Sequence, residues 1–344
     1  MKILLSNSMD LREDFHKTRR QPLQDQRFLC NRTNYNHRFT MSYMDTTNLD
    51  FIGDIHGHAA HLVKLLEKLG YAKKGDTYIH PNRKIVFVGD FIDRGPDNPR
   101  VIEIVRPMVE NGAAYAVLGN HEANAIQFST LTSEGYVRPH SIKNFKQHSE
   151  TLLQFQNRQS DFDEMICWFK TLPLFIENDL VRVVHASWDS SAINQLKQET
   201  TNGIINDWSI TVNMANPLTQ AMETTCKGVE TELPDGVTFK DKDGTVRRKI
   251  RIKWWQTPDG KSIREMNVEE LAHLPDDSFP PGSFEPYPKT EKPVFFGHYW
   301  MQGQPTLQRP NVCCLDFSVA KNGLLTAYRW DGESVLSNDK FFYV

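Results

Sequence analysis

Hydrophobic and polar positions change texture three times along the chain. Residues 1–46 are polar and aperiodic, with Arg12, Arg19, Arg20, Arg27, Arg32 and Arg38 scattered among acidic residues. That texture predicts a poorly ordered extension ahead of the folded domain. A repeating unit begins at Leu49. A short apolar run (Leu49, Phe51, Ile52) ends in Gly53-Asp54-Ile55-His56-Gly57, and Leu62, Leu65, Leu66 and Leu69 then recur at helical spacing up to Gly70. The unit recurs as Lys84–Val88 running into Gly89-Asp90-Phe91-Ile92-Asp93-Arg94-Gly95, followed by a helix over 98–111. It recurs again as Ala114–Leu118 running into Gly119-Asn120-His121-Glu122. Strand, polar turn and helix in alternation predict an α/β protein with a largely parallel sheet. Ligands in such sheets gather at the carboxyl ends of strands, where all three turns fall.

Helical spacing continues over 141–156 and 161–172, and a hairpin around Asn178-Asp179 leads to His185. The stretch 193–290 is richer in charge and turn residues. It holds a predicted hairpin at Asp243-Gly244, between Val237–Phe239 and Ile250–Trp255, and is broken by Pro258, Pro275, Pro280, Pro281, Pro286 and Pro288. It reads as an insertion or cap within one domain spanning 47–344. Apolar strands resume at Val294–Phe296, running into Gly297-His298, then at 312–317 and 324–330, with a last strand near Val344.

Composition narrows the picture only modestly. The 344 residues are 39% hydrophobic and 24% charged, the balance of a globular chain. Lys+Arg 40 against Asp+Glu 43 gives a net charge of −3, which argues against a stable nucleic-acid partner. No apolar run approaches the ~20 residues of a membrane span. The N-terminus lacks a secretory h-region. Five cysteines without a C-x-x-C suggest free thiols in a reducing cytoplasm. The sequence does not specify an oligomeric state.

The chemistry-bearing residues at the strand ends are Asp54, His56, Asp90, Asn120, His185 and His298. Oxygen and imidazole donors without thiolate suit divalent manganese, iron or zinc. Six ligands exceed what one open-sited ion takes, and they fit two ions sharing a carboxylate, the arrangement that clamps an in-line phosphoryl displacement. Arg94 offers a planar fork for phosphate. His121 is a candidate acid for the leaving oxygen, with Asp93 to orient it. Single residues of these types are more often caps or surface groups. His58, His61, His80, His140, His148 and His273 read as ordinary residues, with His58 allowed a possible substrate contact. The run Arg247–Lys253 reads equally as a half-buried strand or a basic patch. Tyr299 and Trp300 read as packing or as a stacking platform, and Cys313 and Cys314 as core.

In order, G-D-x-H-G at 53–57, G-D-x-x-D-R-G at 89–95 and G-N-H-E at 119–122, separated by 31 and 23 residues, resemble the signature set of the phosphoprotein phosphatases within the calcineurin-like metallophosphoesterases. Val183-Val184-His185 and Phe296-Gly297-His298 resemble that family's downstream metal histidines. The resemblance implies a four-layer α/β/β/α sandwich and two divalent ions, manganese first, with iron or zinc as alternatives. It implies that Asp54 and His56 hold one ion, that Asp90 bridges, and that Asn120, His185 and His298 hold the other. Asp93 and His121 would form the general-acid pair, and Arg94 and Asn120 would touch phosphate. The family's second phosphate-binding arginine lies between the downstream histidines, which selects Arg251, and Tyr299 is a further substrate-binding candidate. Leu118 and Ala186-Ser187 depart from the eukaryotic pattern toward bacterial-type members. The implied activity is hydrolysis of phosphate monoesters by a metal-bridging hydroxide, with a serine/threonine-type protein phosphatase as the leading reading. The partners would be phosphorylated proteins or small phosphoesters. The alternative is a hydrolase of diadenosine polyphosphates or phosphodiesters.

Overall fold

The computed structural model describes residues 48–344 except 241–245, 270, 272–273 and 281. The expected extension at 1–46 and the Asp243-Gly244 turn lie outside the described residues. Leu49–Ile52 (β1) shows how the core is divided, because successive side chains of a strand point to opposite faces. Leu49 and Phe51 join one buried cluster and Ile52 another. Phe51 stacks on Phe295, with ring centroids 3.7 Å apart. Lys84–Phe87 (β2) alternates in the same way, Val86 joining Phe51 while Ile85 and Phe87 join Ile52.

Two sheets carry this pattern. In the first, β1 pairs in parallel with β2, and β2 in parallel with Ala114–Ala116 (β3). In the second, Phe175–Glu177 (β4) runs antiparallel to Arg182–Val184 (β5), and Val294–Phe296 (β6) lies parallel to both β5 and Val312–Cys314 (β7). The first sheet is completed by Asp316–Phe317 (β8), Leu324–Trp330 (β9) and Phe341–Tyr343 (β10). There β9 lies antiparallel to β1, and β8 and β10 both pair with β9. Phe51, Val86, Val183, Phe295, Cys313, Tyr328 and Trp330 fill the space between the sheets.

Helices Ala59–Lys68 (α1), Asn98–Glu110 (α2), Asn120–Ser129 (α3), Ile142–Gln154 (α4) and Gln159–Phe169 (α5) follow the strands. Their apolar faces join the outer core, as Leu62, Leu65 and Leu66 do on α1. The outcome is an α/β sandwich of two packed sheets with helices against the outer core.

The stretch expected as an insertion holds two kinds of structure. Ser190–Glu199 (α6) and Pro217–Lys227 (α7) bury Leu196, Leu218 and Met222 in the same core as Val184 and Phe296. A separate small cluster begins after Gly228, built on Ile250, Ile252, Met266, Leu274 and Phe279. In this cap Lys249–Arg251 pairs with Glu230–Glu232, whereas Phe239–Lys240 pairs with Val246–Arg247. The expected partnering of 237–239 with 250–255 is therefore replaced by two shorter ladders. In this arrangement Ile250 faces the cap core. Trp254 and Trp255 are buried at the foot of the cap, with Trp254 Nε1 donating to Ala186 O at 3.1 Å. Cys226, Cys313 and Cys314 are free and buried, but Cys167 is disulfide-bonded, against the expectation of free thiols throughout. No helix among the described residues is long and apolar enough to cross a membrane.

Candidate active site and metal centre

Backbone conformation marks the site before any side chain does. Nine described non-glycine residues adopt positive φ, and six of them stand in turns at strand ends: His56 (44°), Asp90 (53°), Asp93 (70°), Arg94 (70°), His298 (73°) and Trp300 (54°). Left-handed backbone is costly for side chains with a Cβ and persists only where the surroundings hold it. Here the turns hold one another. Ile55 and His56 both donate their amides to Asp90 O, at 3.0 and 2.9 Å, and Gly57 donates to Phe91 O at 2.8 Å. The approach is close enough to exclude side chains, since a Cβ on Gly53 would lie 2.1 Å from Leu315 O.

Asp90 is the hub. Its Oδ2 lies 3.6 Å from His56 Nε2 and 4.0 Å from His121 Nε2, and its Oδ1 lies 3.3 Å from His185 Nε2. Asn120 Oδ1 lies 3.1 Å from His185 Nε2 and 2.7 Å from His298 Nδ1. Two groups of ligating atoms result, each within 4.8 Å: His56, Asp90 and His121, and Asp90, His185 and His298. Asp90 belongs to both. Asp54 is in neither; its carboxylate accepts the His298 amide at 3.0 Å.

The donor set fits cations. His56 Nε2 and His298 Nε2 are buried without a hydrogen-bond partner. The opposite nitrogens of His56 and His185 are anchored on backbone carbonyls, Ile92 O at 3.0 Å and Val88 O at 2.8 Å, as the free edge of a ligating imidazole requires. Burial and the neighbouring charges of Asp316 and Asp90 push the Asp54 carboxyl well up. Burial, then the charge of Asp90, pushes Glu122 up to about 8. Burial opposes charge on Asp90 too, but His185 and His121 hold it well below the usual range. So many carboxylates in a dry interior favour bound positive charge. Burial and the proximity of His121 lower His56 to about 3, which keeps its imidazole neutral and able to ligate.

Beside the hub, Asp93 Oδ2 lies 2.6 Å from His121 Nδ1. The same carboxylate also meets His148 Nδ1 at 2.7 Å and the Thr151 hydroxyl at 2.5 Å. Burial disfavours its charge, but the two histidines keep Asp93 well below the ordinary carboxylate range. Arg94 is exposed and stands 4.3 Å over the Trp300 ring. Arg251 reaches the pocket from the cap, its Nε 3.9 Å from Glu230 Oε1.

Tyr299 does not reach the pocket and is corrected here to a packing residue. It is buried against Trp255 and Phe296. The left-handed residues on either side, His298 and Trp300, turn its ring inward and leave Trp300 lining the cavity. Trp254 and Trp255 are likewise core.

Four residues had no assigned part in the sequence reading. Glu122 accepts the amides of Gly119, Asp90 and Phe91 at 2.8–3.0 Å, stitching the third turn to the second. Asp316 accepts the Trp300 amide at 2.7 Å and so sets the turn after His298. Glu122 lies inside a motif whose functional weight was placed on its neighbours, and Asp316 inside a run read only as a strand. His148 was read as ordinary and Trp300 as either of two things. For His148 a signal existed: Asn144, Gln147, His148 and Thr151 form a polar stripe at helical spacing on α4.

A family profile for calcineurin-like phosphoesterases matches residues 47–298. The chain belongs to the calcineurin-like phosphoesterase family. That family hydrolyses phosphoesters and uses a dinuclear metal centre. This calcineurin-like phosphoesterase is 28% identical over 295 residues to a symmetrical bis(5'-nucleosyl)-tetraphosphatase of Janthinobacterium sp., covering 80% of the chain and 90% of that protein. It is 53% identical over 74 residues to the asymmetrical bis(5'-nucleosyl)-tetraphosphatase PrpE of Oceanobacillus iheyensis, a match spanning 21% of the chain and only 30% of that relative's length. Among solved structures, a protein described as a putative diadenosine tetraphosphatase superposes with a TM-score of 0.44 at 21% identity, covering 88% of this chain and 94% of the other. A Saccharomyces cerevisiae serine/threonine phosphatase with similarity to human phosphatase PP5 gives 0.48 at 14% identity, covering 88% and 80%.

Proposed function

We propose that the protein hydrolyses dinucleoside polyphosphates, with phosphoprotein hydrolysis as the competing reading. The observation that carries this is the charge of the pocket above Asp90. Six cationic residues line it, Arg94, Arg138, Arg247, Lys249, Arg251 and Lys321, against four carboxylates, Asp90 and Asp93 at the floor and Glu230 and Glu269 near the cap. A single phosphate ester needs few of these, whereas a chain of phosphates uses many. Trp300 offers the pocket an indole face. The tetraphosphatase names of the two curated relatives agree with this reading.

In this reading Asp54, His56 and Asp90 would hold one divalent ion, manganese, iron or zinc, and Asp90, Asn120, His185 and His298 the other. When bound, the ions supply an acidified water and offset phosphate charge. The chain's own residues do the rest. Arg94 and Asn120 grip the phosphoryl oxygens, Arg251 holds the next phosphate from the cap side, and His121 gives its Nε2 proton to the leaving oxygen. Asp93 accepts from His121 Nδ1 at 2.6 Å and so fixes the ring with Nε2 toward the leaving oxygen.

The test is a hydrolysis panel on protein stripped of metal and reloaded with manganese, iron, zinc or magnesium. Diadenosine tetraphosphate is expected to give the highest kcat/KM. A higher value on phosphoserine or phosphotyrosine peptides would assign the protein-phosphatase reading instead.

A further inference from the structure

The wall behind the acid pair is built like a binding site, and no step described above uses it. Arg138 is half-buried and lines the pocket, and no carboxylate forms an ion pair with it among the described residues. Its Nη2 instead donates to Gln147 Oε1 at 2.7 Å, which holds the guanidinium in place. Burial pulls its pKa down, so the charge is kept at a cost that a counter-ion would relieve. Two further groups face the same cavity unsatisfied. His148, 5% exposed, spends Nδ1 on Asp93, and its buried Nε2 has no partner. Asn124, one helical turn beyond Asn120 on α3, has a buried side-chain oxygen without a partner. Its amide can present either its oxygen or its NH2 at that position. Buried polar atoms left open at a cavity wall call for a ligand that pairs them.

Position gives this wall its meaning. His148 and His121 share the Asp93 carboxylate, so the wall adjoins the group that protonates the leaving oxygen. We infer that Asn124, Arg138, Gln147 and His148 form a second anion subsite, which takes a phosphate carried by the leaving group. The guanidinium fork binds two phosphate oxygens while Gln147 keeps it oriented. His148, its Nδ1 held on Asp93 at 2.7 Å, presents its unpartnered Nε2 to the same phosphate. The enzyme would thereby favour a leaving group that is itself a phosphate chain over an amino-acid side chain or a phenol. This deepens the proposed function and rests on its assignment of His121 as the acid.

The experiment compares wild type with Arg138→Gln and Arg138→Lys, each checked for intact folding by circular dichroism. The first readout is the ratio of kcat/KM on diadenosine tetraphosphate to that on p-nitrophenyl phosphate. In Arg138→Gln the ratio falls by about tenfold or more, the size of one lost hydrogen bond to a charged group. Arg138→Lys, which keeps charge without the fork, falls less. The second readout is calorimetric titration of metal-free protein with tripolyphosphate and with inorganic phosphate. The Kd for tripolyphosphate rises about tenfold in Arg138→Gln relative to any change for phosphate. A ratio and a tripolyphosphate Kd both within twofold of wild type would overturn the subsite. If wild type hydrolyses p-nitrophenyl phosphate but not the dinucleotide, the proposed function fails, and the tripolyphosphate titration still decides the subsite separately.

Discussion

The floor of the pocket and its walls are built by opposite strategies. The floor consists of turns that leave adjacent strands and lock into one another through backbone hydrogen bonds. Its residues hold unusual φ values because every neighbour is a strand end or another turn. The walls come from distant places, Asn124 on α3, Arg138 and His148 around α4, Arg251 in a cap with its own small core. The floor fixes the type of reaction, and the walls choose what enters. One fold can thus keep its chemistry while its substrates change.

The sharpest way to break the comparison is at the hub. Asp90→Asn should leave the two-sheet core folded, because Asp90's side chain serves the turns and not the apolar layers. It should lower ion content and activity by at least about a hundredfold, since even outer partners of ligands are worth ~10–100-fold. Metal analysis beside a thermal melt checks this, and full manganese-stimulated activity in a folded Asp90→Asn protein would refute the hub. Next is His121→Ala, expected to cost about 10²–10⁴ in kcat on the dinucleotide. The loss should be smaller on p-nitrophenyl phosphate, whose leaving group departs without a proton, and equal losses on both would count against His121 as the acid.

The walls can be loosened without touching the floor. Ile252→Ala removes a side chain from the cap core and should destabilise the cap by about 2–5 kcal/mol. Hydrogen exchange should then quicken over 249–266 while ion content stays at the wild-type level. A parallel loss of ions would show that cap and floor are one cooperative unit. The smallest effect concerns the second sheet. Burial works against charge on Glu177, but Lys197, Arg182 and Lys292 hold its carboxyl down to about 2. A lowered folded-state pKa adds stability above the unfolded value near 4.3, and that share is lost as pH falls toward 2. Glu177→Gln should therefore lower stability at neutral pH by about 0.2–1 kcal/mol, as solvent-screened pairs do, and flatten the acid limb between about pH 4 and 2. Denaturant melts across that range decide it.

This contrast also explains what could be read without coordinates. Asp54, His56, Asp90, Asp93 and His121 were legible because each turn carries its chemistry within a few residues of a strand end. The apolar run Leu49, Phe51 and Ile52 announced a buried strand. Residues of the walls are placed by packing across long sequence distances, so no local spacing pointed from Arg138 to Asp93. Tyr299 and Trp300 were indistinguishable as neighbours. Two left-handed residues decide which ring faces the cavity, and that backbone choice depends on Asp316 receiving the Trp300 amide. The cap ladders shifted because their register depends on how the connection closes.

Asp54 and His298 share a hydrogen bond across 244 positions of sequence. During synthesis, a ribosome delivers Asp54, Asp90 and Asn120 first, His185 later, and His298 last of these. The three N-terminal turns therefore emerge as an inert half. A fragment ending before β6 would keep the full sequence signature and still lack the histidine that closes the ring of ligands. Such a product would carry the three N-terminal turns and lack one side of the pocket floor.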